Sequence, residues 1–152
     1  MRENISPLGA RMVIDHIGIV VRSLESGIES WINLFGYRQA TEVVENRTQK
    51  VNVVFMEKPG SVTVKLLAPT DPSSPVHHFS RRGGGLHHIC FRGGCLAEDL
   101  KTLVRKGARV LVPPEAGEAF ENEEIAFVYA AHGLNIELID TEKKARRRRN
   151  NG

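Results

Sequence analysis

The chain has 152 residues, 41% of them apolar and 26% charged, enough for one compact domain with its own core. Lys143, Lys144 and Arg146 to Arg149 supply six positive charges, so the formal net charge of +3 becomes −3 without them and gives no reason to expect nucleic acid. No stretch approaches the ~20 apolar residues of a membrane span, no signal-peptide apolar core opens the chain, and Cys90 and Cys95 do not make a disulfide framework, so a reducing cytoplasm is the expected setting.

In chain order, residues 1–12 read as a flexible leader. Residues 13–21, rich in Ile and Val, predict a strand. Ser23 then stands as an N-cap before Leu24, Ile28, Trp31, Ile32 and Phe35 at helical spacing, with Gly36 suited to the C-terminal cap. Residues 51–56 form a second strand, Lys58-Pro59-Gly60 a turn, and residues 62–67 a strand that alternates faces: Val62, Val64 and Leu66 on one, Thr63, Lys65 and Leu67 on the other. A loop rich in Pro, Asp and Ser runs over 68–75. The second half repeats the plan: a strand over 86–91, a helix marked by Leu96, Leu100, Leu103 and Val104 and closed by Gly107, a short strand over 109–112 ended by Pro113-Pro114, and strands over 124–129 and 134–139. Residues 142–152 read as a basic disordered tail.

The two halves are one pattern repeated at an offset of 72 residues. Asp15-His16-Ile17-Gly18 falls on His87-His88-Ile89-Cys90, Val53 and Phe55 fall on Ile125 and Phe127, and Val64 and Leu66 fall on Ile136 and Leu138. The glycines after the helices differ by 71, a slip that the loops absorb. The expected fold is α+β: two βαβββ modules, about 13–70 and 85–141, pairing into a curved, partly open mixed β-sheet around a central cleft, helices outside, as a single domain over 13–141.

The same offset picks out a quartet, His16, Lys65, His88 and Glu137. A carboxylate flanked by apolar strand residues is costly to bury without a partner, and two imidazoles and a carboxylate on separate strands suit a divalent transition metal with open positions. His87, next to His88, is expected on the opposite face in a structural or supporting role. His77 and His78 lie in a polar loop and read as surface residues, and His132 sits in a turn near the cleft mouth.

These residues resemble the vicinal oxygen chelate superfamily (glyoxalase, bleomycin resistance, dioxygenase), most closely its methylmalonyl-CoA epimerase branch. The resemblance rests on residues 15–21, on Leu66-Leu67-Ala68-Pro69 with Ser74-Pro75, Phe79 and Gly85-Leu86-His87-His88-Ile89, and on Ile125-Ala126-Phe127 with Ile136-Glu137-Leu138. It implies a divalent metal (Co, Zn, Mn, Ni or Fe) on His16, His88 and Glu137, and Lys65 where the family carries a fourth ligand. The family's catalytic carboxylate near the second strand has no clear match, since Val51-Asn52-Val53 offers only Asn52, and its Gly-rich stretch is replaced by residues 115–124.

The implied activity is metal-dependent proton transfer next to a chelated carbonyl, with Lys65 and Glu137 as catalytic groups. The substrate is a small molecule, an acyl-CoA or other carbonyl compound, and the assembly a homodimer with no nucleic acid and no membrane. One alternative is an extradiol-type dioxygenase or lyase, with Tyr129 and His132 as extra groups. The other is a non-catalytic small-ligand-binding protein in which Lys65 pairs with Glu137 and no metal binds.

Overall fold

The structure is a computed structural model and describes residues 11–149. Most of the expected leader, and residues 150–152 of the expected tail, lie outside the described residues.

The first module contains β1 (Val13–Val20), α1 (Leu24–Phe35), β2 (Arg38–Gln39), β3 (Val44–Asn46), β4 (Val51–Glu57) and β5 (Thr63–Pro69). A short helix, α2 (His77–Arg81), links it to the second. The second contains β6 (Gly85–Arg92), α3 (Leu96–Arg105), β7 (Arg109–Gly117), β8 (Glu123–Tyr129) and β9 (Asn135–Ile139), with a single 3-10 turn at Glu118–Phe120. Local chemistry sets the helix ends as the sequence suggested. Ser23 Oγ accepts from the Ser26 amide at 3.3 Å, and Gly36 leaves α1 at φ 70°, a conformation that costs glycine little.

The nine strands form one open sheet in the order β2-β4-β5-β1-β6-β9-β8-β7, with β3 also on β4. Reading outward from the centre, each module runs in the same order, so the repeat is structural. Register follows it as well. In the parallel β1–β5 pair Gly18 faces Lys65, and in the parallel β6–β9 pair Cys90 faces Glu137, each partner displaced by the same 72 residues. The central β1–β6 ladder is antiparallel and pairs His16 with Cys90 and Gly18 with His88, as a twofold relation requires.

Strand alternation then sorts side chains between two faces. Val64 and Leu66 pack with Val54, Met56 and Tyr37 under Ile28 and Trp31 of α1. Ile136 and Leu138 pack with Ala126 and Val128 under Leu100 and Leu103 of α3. The opposite, concave face carries Val51, Val53, Phe55, Leu67, Phe120, Ile125 and Ile139, and it is there that the remaining residues of β5 and β9 must point.

Three features depart from the sequence reading. β2 and β3 together occupy the place of β7, but are too short and too polar to show as strands. β7 continues beyond Val112 because Pro113-Pro114 falls where its pairing with β8 shifts register, between Val112 and Glu115. Proline donates no ladder hydrogen bond and is tolerated there, at a bulge on the outermost strand. The basic run over 142–149 makes specific contacts, whereas its charge alone suggested solvent. Ala145 donates to the Ala119 carbonyl (2.8 Å) and Arg148 to that of Ala40 (2.8 Å). Arg147 and Arg148 meet Glu57 and Glu42 at 2.8 and 2.9 Å.

Candidate metal centre

His16 on β1, His88 on β6, Lys65 on β5 and Glu137 on β9 meet on the concave face, at the seam between the modules. All four are buried; Glu137 is 0% and Lys65 6% exposed. Glu137 Oε1 lies 2.9 Å from His16 Nε2 and 3.2 Å from His88 Nε2, and the two Nε2 atoms are 3.4 Å apart. Lys65 Nζ donates to Glu137 Oε2 at 3.4 Å. Aromatic rings wall the group: Phe55 and Phe120 pack on His16, and Phe127 on His88.

The outer ring nitrogens are spoken for. His16 Nδ1 is 2.7 Å from Asp15 Oδ2, and His88 Nδ1 is 2.8 Å from His87 Nδ1. Strict alternation would send Asp15 and His87 to the other face, as was expected for His87. The cause is a pair of β-bulges. Along the β1–β6 ladder, Ile14 and His16 face Phe91 and Cys90, and Gly18 and Ile19 face His88 and Leu86, leaving Asp15 and His87 as the extra residues. A bulge re-aims a side chain beside a site. Asp15 and His87 are themselves related by the 72-residue offset, which is the sequence signal that would have found them.

Asp15 has further partners: Arg92 Nη1 at 2.8 Å and Lys144 Nζ at 3.1 Å. Burial would raise its carboxyl, but the His16 hydrogen bond and the Lys144 charge outweigh this and lower it to about 2. Burial pushes His88 down to about 4 against the opposing charge of Glu137, so the imidazole is neutral at physiological pH. Burial likewise lowers His87, aided by Lys65. For Glu137 burial would favour the neutral acid, yet the Lys65 charge beside it holds it well below the usual carboxylate range.

This donor set fits a divalent cation. The ligand atoms of His16, His88 and Glu137 lie within 4.8 Å of one another. Glu137 Oε1 is buried and has no hydrogen-bond partner although two ring nitrogens face it, as expected of groups aimed at a common ion. Asp15, His16 and Cys90 are also clustered, but Asp15 already neutralises Arg92 and Lys144, and burial pushes the Cys90 thiol well up, so that cluster is satisfied as it stands. Lys65 occupies the position symmetric to Glu137 and offers an ammonium where a fourth ligand would stand.

A cavity of about 100 Å³ opens onto Lys65, His88 and Glu137, while His16, fully buried, does not line it. Lys65, His87, His88 and Glu137 line its floor, Val51, Val53, Phe120, Ile125 and Phe127 its walls, and Asn46 and Gln49, which the sequence reading did not single out, also face it. Asn52, Tyr129 and His132 do not line it. Asn52 lies between Val51 and Val53, which do, and so takes the other face of β4. Tyr129 ends β8 with its ring under Arg109, and His132 sits in the turn beyond at φ 58°. His77 and His78 belong to α2.

Residues 15–127 match the family model of the glyoxalase/bleomycin resistance protein/dioxygenase superfamily. The chain belongs to this superfamily. Within the superfamily it is 36% identical over 131 residues to the uncharacterized protein YqjC of Bacillus subtilis, covering 84% of this chain and 91% of that one. Methylmalonyl-CoA epimerase from Mycobacterium tuberculosis superposes with a TM-score of 0.74 at 29% identity, over 84% of this chain and 86% of the other. A Streptomyces coelicolor methylmalonyl-CoA epimerase variant in complex with 2-nitronate-propionyl-CoA superposes with a TM-score of 0.75 at 28% identity, over 85% and 96%. The superfamily's paired modules are thus the ones seen here, and homology to methylmalonyl-CoA epimerases is direct.

Proposed function

We propose that this chain is a metal-dependent isomerase of the methylmalonyl-CoA epimerase type, moving a proton at the carbon next to the thioester carbonyl of a small acyl-CoA. The observation that carries this reading is the convergence of His16 Nε2 and His88 Nε2 on the unpartnered Glu137 Oε1, with His88 and Glu137 lining a mostly apolar cavity. Likeness to epimerases that bind acyl-CoA compounds supports the substrate class.

His16, His88 and Glu137 would hold the ion, with Asp15 and His87 fixing the two rings through Nδ1. A bound divalent ion supplies Lewis-acid polarisation of the carbonyl. Phe120 and Phe127 exclude water from that side of the cavity and Phe55 packs against the His16 ring, which strengthens every charge interaction there. Lys65 Nζ lies on the cavity floor beside Glu137 Oε2; as the neutral amine it would take the α-proton and as the resulting ammonium return it, or stabilise charge on the substrate oxygen. The test is deuterium exchange at the α-carbon of methylmalonyl-CoA in D₂O, followed by proton NMR with cobalt- or zinc-loaded protein. Exchange that is lost in Lys65→Met supports the reading. No exchange at stoichiometric metal overturns it.

The Lys65–Glu137 pair favours a second reading, a metal-free binder of small ligands; metal analysis of purified protein separates the two. Oxygen uptake with a catechol tests the dioxygenase alternative. A homodimer remains part of the proposal: Val110 and Leu111 are exposed on the outermost strand β7, and sheet edges need cover. Light scattering decides it. Among the described residues no helix is long and apolar enough to cross a membrane. A cytoplasmic setting is proposed from the free Cys90 and Cys95.

A further inference from the structure

The duplication gives the cleft two related halves, and they are filled differently. His87 and Phe127 line the open cavity. Their mates at the 72-residue offset, Asp15 and Phe55, both contact Lys144. Lys144 Nζ lies 3.1 Å from Asp15 Oδ2 and 3.2 Å from Oδ1, and 5.2 and 5.4 Å from the centres of the Phe55 and Phe120 rings. The side chains of Lys144 and Asp15 are 5% and 4% exposed.

A lysine in a charge run ordinarily keeps its ammonium in water. Here it is enclosed by a carboxylate and two aromatic rings, the groups that recognise an ammonium: the carboxylate accepts charge-assisted hydrogen bonds, and the rings attract the cation through their quadrupoles. The backbone on either side is pinned as well. Lys143 donates its amide to Thr141 Oγ1 at 3.1 Å. Ala145 donates to the carbonyl of Ala119, next to Phe120, and Arg148 to that of Ala40, so the segment passes from the second module to the first.

We propose that the Asp15 half of the cleft is a binding pocket for a primary alkylammonium group, and that the C-terminal segment occupies it in cis through Lys144. The basic run is thus a resident ligand. With Lys144 seated, His16 is fully buried, and small ligands meet the site from the side of Lys65 and His88. A tethered ligand has an effective concentration of about millimolar or more, so a free amine below that range does not displace it. The pocket uses neither a metal nor a substrate and is independent of the reaction proposed above.

The test restores the missing side chain from solution, in the full chain after chelation of metal so that an amine has no ion to coordinate. Lys144→Gly removes the side chain from Cβ onward, and n-butylammonium supplies those atoms. Calorimetry should show n-butylammonium binding to Lys144→Gly, and no binding at the same concentration to the unaltered protein or to Lys144→Met, whose pockets are full. Ethylammonium, lacking two buried methylenes, should bind about tenfold more weakly, and n-butanol, lacking the charge, about tenfold or more. Lys144→Ala with n-propylammonium gives a second pair of the same kind. In the unaltered protein, the ε-methylene proton resonances of Lys144 should be displaced by the two rings, and those of the exposed Lys143 should not. This last measurement needs no variant to fold. Ordinary Lys144 resonances, no amine binding to either folded variant, equal binding to variants and unaltered protein, or n-butanol binding as tightly as the amine each overturns the proposal.

Discussion

Gly18 faces His88 across the β1–β6 ladder, and a Cβ at position 18 would overlap the His88 imidazole. The ring is folded over the backbone of the neighbouring strand, which is how Nε2 reaches Glu137. Its symmetry mate, Cys90, carries a side chain opposite His16, so the module seam is asymmetric at this point.

Gly18→Ala should therefore displace His88 without touching any ligand. Overpacking of this kind costs about 1–3 kcal/mol of stability. Zinc affinity should fall by more than about tenfold, since one of three ligands is displaced. Thermal unfolding and calorimetric titration check the two parts. Unchanged zinc affinity would show that the imidazole can move aside and still reach the ion.

Lys65 sets a second expectation. Its ammonium is 3.4 Å from Glu137 Oε2, so it competes with a cation for the same carboxylate and repels that cation. Lys65→Gln removes the charge and places an amide oxygen where a fourth ligand would stand, and should tighten zinc or cobalt binding at neutral pH about tenfold or more. Glu137→Ala should weaken it by a larger factor. If Lys65→Gln leaves affinity unchanged or lowers it, the lysine does not oppose the metal and the proposed geometry is wrong.

The buried histidine gives the metal-free protein a pH signature. His88 titrates at about 4 in the fold against an ordinary value of 6.5. Between these values the unfolded chain binds a proton that the fold refuses, so stability rises with pH across that window, by up to about 1.4 kcal/mol per pH unit for one group. Asp15, lowered to about 2 from 3.8, adds stability above its ordinary value that is lost as pH falls toward 2. Urea unfolding at pH 4.5, 5.5 and 6.5 should show the first slope, and His88→Asn should remove about one proton's worth of it. Equal slopes in the two proteins would mean that His88 titrates in its ordinary range.

What could be read in the sequence was what the duplication preserves. His16, His88, Lys65 and Glu137 were visible because one offset links them and strand parity gives their common face. Asp15 was missed, and His87, expected in a supporting role, was assigned to the wrong face, for the same reason: parity places neighbours on opposite faces, and a bulge is a property of pairing with another strand. β7 was cut short because Pro113-Pro114 reads as a stop until one knows that the strand is outermost. The role of Lys144 was illegible, since a charge run looks solvated and its partner Asp15 lies at the other end of the chain.

That last pair carries the final prediction. Asp15 is the only acid within ion-pair distance of Lys144 among the described residues, and Lys144 Nζ sits over the Phe55 and Phe120 rings at 5.2 and 5.4 Å. Asp15→Asn leaves a 7% exposed ammonium without its anion, a loss of about 3–5 kcal/mol for a broken buried pair. It also removes the carboxylate that orients His16, so zinc affinity should fall about 10–100-fold. Lys144→Met leaves Asp15 with Arg92 and His16, and its flexible thioether can lie against the same two rings. Its cost should be nearer 1 kcal/mol, with zinc affinity changed less than about threefold. The two changes together should cost less than their sum, because the second removes the charge that the first strands. Urea unfolding of the three variants with zinc titrations gives the cycle. Strict additivity, or an equal loss of zinc affinity in the two single variants, would mean that Lys144 and Asp15 do not act as a pair.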